Sequence, residues 1–164
     1  MTTGDAREVG SSAIAERAHA GAPIGTRPAR IFISYKRNFD PDETVARQVF
    51  QKLREQHDVF IDRTMRVGTD WPGRIDAELR QADYLIVFLS EKSVASEMVE
   101  GEVETAHRLA KEQGGRPKIL PVRLAYDAPL PYPLSAYLQH IQWADWESMQ
   151  DTPGLIETLL QAVS

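Results

Sequence analysis

The chain has 164 residues, about the length of one ordinary domain, and its hydrophobic (42%) and charged (26%) fractions are those of a globular protein. A formal net charge of −5 lacks the basic footprint of a nucleic-acid-binding protein, and the lack of cysteine excludes disulfides, thiol nucleophiles and cysteine-bound zinc. The four histidines have no metal-ligand spacing and no apolar run approaches the roughly 18 residues of a membrane span, so we expect a cytoplasmic protein without metal, membrane or nucleic-acid partners.

The composition predicts that residues 1–28 are a flexible N-terminal leader and that residues 29–164 form the folded domain. The leader is rich in Gly, Ala, Thr and Ser and has almost no large aliphatic side chains, so it lacks the surface to build a core. Within it, Ala13 to Ala20 has the composition of a marginal helix. The first predicted strand, Arg30 to Tyr35, is short and apolar and ends in the polar run Lys36-Arg37-Asn38.

A helix, a second strand and a loop follow. Asp40 is the predicted N-cap of the helix, with Pro41 at the first helical position and Glu43 closing a capping box. The helix ends near Gln56, and His57 to Asp62 is a strand flanked by charge, as an edge strand often is. The apolar faces of this helix and of a short helix after the loop 63–73 are Val45, Val49 and Leu53, and Ile75, Leu79 and Ala82.

The run Tyr84 to Leu89 is unbroken, apolar and partly β-branched, which is typical of a strand buried on both faces of a parallel sheet. Beyond Ser90 the period becomes helical, with one stripe formed by residues 99, 103, 106 and 110. At about 100° per residue, Glu102 lies at the edge of this stripe beside Met98, whereas the neighbouring glutamates at 97, 100 and 104 project away.

Glu102 is therefore an unusual carboxylate. Ligands of open α/β sheets bind beyond the carboxyl ends of the strands, and the first turns of this helix stand at that rim. Partial desolvation beside apolar surface can alter the acidity of a carboxylate there. The alternative is a glutamate that lies along the surface and points to water, and spacing alone leaves both interpretations open.

The last third of the chain completes the sheet. Gly114-Gly115 ends the helix, and Lys118 to Leu124 is the fourth strand, in which Pro121 favours a place near an edge or a bulge. A weak fifth strand is predicted around Leu138 to Trp143, and Asp151-Thr152-Pro153 caps the last helix. Five alternations of strand and helix predict an α/β fold: a doubly wound, five-stranded parallel sheet with helices on both faces and flavodoxin-like strand order.

Several stretches, in order and at fitting intervals, resemble the successive boxes of a bacterial TIR (Toll/interleukin-1 receptor) domain. The resemblance covers about Ala29 to Trp146. It implies a flavodoxin-like sheet, a mobile loop after the second strand and, in many members, cleavage of NAD⁺ at the nicotinamide–ribose bond. The matching stretches are Ile31 to Tyr35, Val59 to Asp62, Gly68 to Trp71 with Ile75 and Leu79, Ala82 to Ser90, and Ser93 to Ser96.

In the NAD⁺-cleaving members the glutamate of a W-x-x-x-E stretch on the helix after the third strand is catalytic, and Glu102 occupies that position. Met98 stands where the family has tryptophan, so an apolar wall remains but flat aromatic stacking is lost. Cleavage passes through an oxocarbenium-like state, which a carboxylate near the ribose can stabilise. The resemblance thus favours Glu102 as the catalytic residue.

Candidate substrate-binding residues lie at strand ends and at the mouth of the loop. Ser34 and Tyr35 are positioned either to contact the nucleotide or simply to end a strand in polar residues. Asp62, Arg63 and Arg66 stand where an arginine can meet a phosphate, and the alternative for each is a solvated side chain.

Four more candidates lie on or beside the helices. Trp71 is predicted either to stack on a ligand or to anchor the loop by packing. Ser93 and Ser96 are either ligand contacts or helix caps, and Met98 is a wall of the site.

The resemblance predicts an NAD⁺ hydrolase that releases nicotinamide and ADP-ribose or a cyclic ADP-ribose, with NAD⁺ as substrate and no cofactor. The loop 63–73 is its predicted lid, and self-association with other TIR domains is expected to control activity. The first alternative is a non-enzymatic module that recruits another TIR domain, with Glu102 a surface acid. The second is a nucleotide sensor that binds without cleaving.

Overall fold

The computed structural model describes residues 15–18, 27–62 and 71–164, with side chains for all of these except 15–18, 62 and 71. Its strands are β1 (Ala15–Ala18), β2 (Arg30–Ser34), β3 (Asp58–Asp62), β4 (Tyr84–Leu89), β5 (Lys118–Leu124) and β6 (Ala144–Trp146). They form one sheet in the order β1-β3-β2-β4-β5-β6, in which β2 to β6 are all parallel. The predicted five-stranded parallel sheet with flavodoxin-like order is confirmed.

Strand β1 adds a sixth, antiparallel member that the sequence did not predict. It pairs along the outer side of β3, with Ala15 opposite Asp62 and Ala18 opposite Val59. The marginal helix predicted over Ala13 to Ala20 is therefore wrong at residues 15–18. Ala, Glu and Arg are good helix formers, but a short isolated helix is marginal in water, and an unpaired sheet edge offers a row of backbone hydrogen bonds that outweighs it.

Helices cover both faces of the sheet, as predicted. One core cluster joins α1 and α5 to the sheet through residues such as Val49 and Leu159, and the other joins α2, α3 and α4 through residues such as Leu79, Val103 and Leu134. The helices are α1 (Asp42–Leu53), α2 (Trp71–Gln81), α3 (Glu97–Glu112), α4 (Leu134–Leu138) and α5 (Thr152–Ala162).

Strand β4 lies at the centre of this arrangement and is buried on both sides. Ile86 and Phe88 pack into the cluster of α1 and α5, while Leu85, Val87 and Leu89 pack into the cluster of α2, α3 and α4. Successive side chains of a strand point to opposite faces, so an unbroken apolar run is what a strand between two layers requires. The prediction from the run 84–89 is confirmed.

The predicted ends of two elements are wrong. Residues 71–73, predicted as loop, are the first residues of α2, whereas residues 63–70 lie outside the described part of the chain. Helix α1 begins at Asp42 rather than Pro41. Asp40 Oδ1 accepts from the backbone N–H of Thr44 (3.2 Å). Glu43 does not complete a capping box with Asp40, because its Oε1 accepts from the backbone N–H of Asn38 (3.4 Å).

The weak fifth strand is also misplaced. Leu138, predicted to begin the strand, is the last residue of the short helix α4, because Leu134 and Leu138 lie one turn apart and are both buried against the layer of α3. The strand itself, β6, begins at Ala144 and pairs only with residues 122–124 of β5. Pro121 thus stands just outside that pairing, where its missing N–H breaks no bond to β6, as its predicted place near an edge requires.

Candidate functional site

The carboxylate of Glu102 lies beneath the surface, at the carboxyl end of the sheet. Only 5% of the residue is exposed, and its Oε1 accepts a hydrogen bond from Ser34 Oγ at 3.0 Å. Ser34 is the last residue of β2, and Glu102 is in the second turn of α3. The interpretation of Glu102 as a side chain pointing to water is therefore wrong.

The Ser34–Glu102 contact stands at the topological switch point of the sheet. Strands β2 and β4 are neighbours, but the chain leaves β2 for β3 on one side and leaves β4 for β5 on the other. Connections that diverge in this way open a crevice beyond the carboxyl ends of the two strands, where open α/β sheets bind ligands. Position and burial together make Glu102 a candidate functional group.

A pocket of about 200 Å³ opens beside Glu102, between the start of α2 and the first turns of α3. Met98 and Ile75 supply apolar surface, and the Glu102 carboxylate is the buried acid. Small-molecule sites usually combine such apolar walls with a few fixed polar groups. The residues that line the pocket are Pro72, Ile75, Glu97, Met98, Gly101, Glu102 and Thr105.

Arg37 is a residue of this region that the sequence reasoning did not select. Its Nη2 lies 3.4 Å from Met98 Sδ, so a half-buried guanidinium stands one helical turn from Glu102. The only signal in the sequence was its place in the polar run after the first strand. An arginine at such a rim presents a planar fork of donors that suits phosphate oxygens.

A comparison with protein-family models matches the description "TIR domain" to residues 31–160. The match covers most of the chain. This chain belongs to the TIR domain family. A comparison with curated proteins finds no match. TIR domains in general self-associate and act in signal transduction.

Of the other predicted substrate-binding residues in this TIR domain, Ser34 and Met98 lie with Glu102, but Tyr35 does not. Tyr35 is buried in the core cluster of α1 and α5, on the face of the sheet opposite Ser34. Adjacent residues at the end of a strand point to opposite faces, so they cannot share one pocket. This alternation was readable from the sequence, but which face carried the pocket was not.

The two serines before α3 have different surroundings. Ser96 is the N-cap of α3, and its side chain accepts from the backbone N–H of Val99 at 3.4 Å, which bears out its interpretation as a cap. Ser93 is fully buried, and its Oγ accepts from the N–H of Ser90 (2.6 Å) and donates to the Ser90 carbonyl (3.3 Å). In this arrangement the Ser93 hydroxyl is committed to the turn.

The remaining candidates flank the undescribed stretch. Asp62 is the last residue of β3 and Trp71 the first of α2, but their side chains are not described. Arg63 and Arg66 lie outside the described residues. Their proposed contacts with a ligand stay predictions.

Neither a metal-binding cluster nor a membrane-spanning helix is found in the described ranges. Within 27–62 and 71–164, no three His, Cys, Asp or Glu side chains come together to hold an ion. Over the same residues, every helix is too short or too polar to cross a bilayer.

Proposed function

We propose that this TIR domain is an NAD⁺ hydrolase in which Glu102 is the catalytic carboxylate. The observation that carries the proposal is the burial of Glu102 at the switch-point crevice, held by Ser34 at 3.0 Å and facing a pocket. Burying a carboxylate costs free energy of folding even when a hydroxyl group donates to it. Its presence beside a pocket therefore favours a chemical role over a structural one.

The reaction replaces the bond between the nicotinamide nitrogen and ribose C1′ with a bond from C1′ to water. The nicotinamide leaves with the bonding electrons as a neutral molecule, ADP-ribose forms, and the attacking water loses one proton. Charge develops on the ribose as the bond breaks, and the Glu102 carboxylate stabilises it at close range in a partly dehydrated site. If an adenine nitrogen attacks C1′ instead of water, the product is a cyclic ADP-ribose.

In this proposal, residues near Glu102 contact different parts of NAD⁺ or orient the carboxylate. Ser34 holds the carboxylate in one orientation, and Met98 forms the wall against which the nicotinamide ribose rests. The Arg37 guanidinium, next to Met98, suits the pyrophosphate. Asp62, Arg63 and Trp71 keep their proposed roles in binding NAD⁺, which enters as substrate, without a separate cofactor. Ser93 has no such role in the proposal, because its hydroxyl is buried and bonded to Ser90.

The test is nicotinamide release from NAD⁺ by the concentrated protein, with a crowding agent to promote assembly. Glu102→Ala and Glu102→Gln should lose activity by about 100-fold or more, because they remove the charge that stabilises the transition state. Glu104→Gln is the matched control, since Glu104 is an exposed acid two residues along the same helix. Equal activity of the parent and Glu102→Gln would overturn the assignment.

The alternative is a non-enzymatic module that recruits other TIR domains. Two observations favour it: the described pocket, about 200 Å³, is small for a dinucleotide, and Met98 replaces the stacking tryptophan. A parent protein that assembles by light scattering but releases no nicotinamide would support this alternative and exclude the hydrolase.

A cytoplasmic NAD⁺ hydrolase of this family would act by depleting a shared metabolite. Two settings fit that output, antiphage defence and interference with the TIR signalling of a host, and self-association is the proposed trigger in both. A time course that follows NAD⁺, ADP-ribose and cyclic products in the expressing cell distinguishes depletion from signalling by a cyclic product.

A further inference from the structure

A second buried carboxylate, Asp42, lies at the carboxyl end of the sheet. It is 0% exposed, in the first turn of α1, and its Oδ2 accepts a hydrogen bond from Ser90 Oγ at 2.6 Å. Its Oδ1 is buried without a hydrogen-bond partner among the described residues. Burial without full pairing is costly for a carboxylate, and such groups call for an explanation other than stability.

Ser90 connects Asp42 to the turn that leads into α3. Ser90 Oγ donates to Asp42 and accepts from the backbone N–H of Ser93 at 3.1 Å, and the Ser90 N–H donates to Ser93 Oγ at 2.6 Å. The side chains of Ser90 and Ser93 thereby close the turn at both of its ends, and Ser90 is also bonded to Asp42 of α1.

The same turn determines where α3 begins. The backbone N–H of Ser96 donates to the Ser93 carbonyl at 2.9 Å, and the Ser96 side chain caps the first turn of α3. Glu102 lies in the next turn of that helix. A continuous set of hydrogen bonds therefore runs from Asp42 through Ser90 and Ser93 to the helix that carries Glu102.

The two serine–carboxylate contacts are reciprocal. Ser34 ends β2 and donates to α3, the helix that follows β4, whereas Ser90 follows β4 and donates to α1, the helix that follows β2. The contacts lie on opposite faces of the sheet, because Ser90 continues the face of Phe88 and Ser34 that of Phe32. Together they fasten both faces of the switch-point crevice.

We propose that Asp42 is a positioning residue for Glu102: its contact with Ser90 fixes the β4–α3 turn and so the depth and direction of the catalytic carboxylate. The inference rests on the proposed hydrolase. Asp42 cannot touch substrate, since it is fully buried, so it acts through Ser90 alone. Displacement of a catalytic group by a fraction of an ångström is enough to lower a rate, and this is what the contact prevents.

The acidity of Asp42 agrees with a charged acceptor at neutral pH. Burial raises the pKa of Asp42 to about 6, and the hydrogen bond from Ser90, which lowers the pKa, offsets only part of this effect. The charged groups that face it oppose each other, since Asp40 raises the pKa and Lys36 lowers it. The carboxylate is thus ionised at pH 7.5, when its bond to the Ser90 hydroxyl is charge-assisted and strongest.

The test compares turnover in the assembled parent, Asp42→Ala, Ser90→Ala and the double variant. Each single variant should lower kcat by about tenfold while KM stays within about twofold, because the substrate contacts are untouched. The double variant should be no slower than the slower single variant, since both act through one bond. Asp42→Asn keeps an acceptor for Ser90 and should keep most of kcat.

Val45→Ala is the matched control for lost stability. Val45 is fully buried in α1, one turn from Asp42, but belongs to the apolar core. If Val45→Ala lowers kcat as much as Asp42→Ala does, the positioning role is overturned. A native kcat in Asp42→Ala overturns it as well.

Amide hydrogen exchange provides a readout that needs no activity. Exchange over residues 93–101 should rise in Asp42→Ala and Ser90→Ala but not in Val45→Ala, because only the first two release the turn before α3. A parent without nicotinamide release refutes the proposed hydrolase. Unchanged exchange at 93–101 in Asp42→Ala refutes the positioning role, whatever the activity of the parent.

Discussion

At the scale of single residues, the carboxyl end of the sheet contains two buried acids where an ordinary core would have none. Glu102 and Asp42 each accept from a serine hydroxyl, at 3.0 and 2.6 Å. Hydrogen bonds to charged groups contribute roughly 1.5–3 kcal/mol, but a buried carboxylate with an unpaired oxygen costs a similar amount or more. The net contribution of Asp42 to stability at neutral pH is therefore small or unfavourable.

Because of Asp42, the stability of the folded protein should decrease as pH rises. Burial raises its pKa from 3.8 to about 6, so the folded state binds a proton that the unfolded state releases, and stability is lost as pH rises through this window. Between about pH 5 and about pH 7.5 the free energy of unfolding of the parent should fall by roughly 1.4 kcal/mol relative to Asp42→Asn. Urea denaturation at the two pH values measures this difference.

Comparing the parent with Asp42→Asn removes the contributions of all other titrating groups from the measured difference. Burial lowers the pKa of His57, whose Nδ1 accepts from the backbone N–H of Ala29, and this contribution has the opposite sign. Because His57 is the same in the parent and in Asp42→Asn, it cancels. Parallel pH profiles of the two proteins would contradict the raised pKa of Asp42.

The sequence predicted one of these acids and missed the other for a physical reason. Glu102 stood at the edge of an apolar stripe, so helix geometry alone brought it near the core. Asp42 stood in a helix start together with Asp40 and Glu43, where acids usually meet water and the helix dipole. Only the packing of α1 against the end of β4 decides that the middle acid is the buried one.

At the scale of elements, the short edge strand β6 depends on its contact with α5. Trp146 Nε1 donates to Thr152 Oγ1 at 2.9 Å, and both residues are buried. Thr152→Val keeps the shape but leaves the indole N–H without its partner, so the free energy of unfolding should fall by about 1–3 kcal/mol. Chemical denaturation measures the loss.

Thr158→Val is the control, because Thr158 is an exposed residue of the same helix. Its effect should stay within about 0.5 kcal/mol, as for most surface substitutions. A similar stability for both variants would show that the Trp146–Thr152 bond contributes little.

Elements with a strong period were predictable, and elements that depend on partners were not. The run 84–89 and the stripe of α3 carry their own signal, and Gly114 and Gly115 end that helix with positive φ angles, 72° and 101°. Strand β1 and the three-residue β6 exist because a neighbouring edge offers hydrogen bonds. No local pattern encodes that edge, so their positions were missed.

At the scale of the whole molecule, the sheet order places a crevice between β2 and β4, and the described residues enclose little of it. The pocket lined by described residues holds about 200 Å³, below the roughly 300–1,000 Å³ of most small-molecule sites. A dinucleotide therefore needs further walls. TIR domains in general self-associate, and a second copy is one source of such walls.

If a neighbouring copy completes the site, nicotinamide release per chain should rise with protein concentration, because the fraction of assembled chains rises by mass action. The measurement is the initial rate per chain from dilute to crowded solution, with light scattering recorded on the same samples. The activity per chain should follow the scattering, and Glu102→Gln should assemble equally while staying inactive. A rate per chain that is constant while scattering changes would mean that one chain binds and cleaves NAD⁺ unaided, and that assembly serves another purpose.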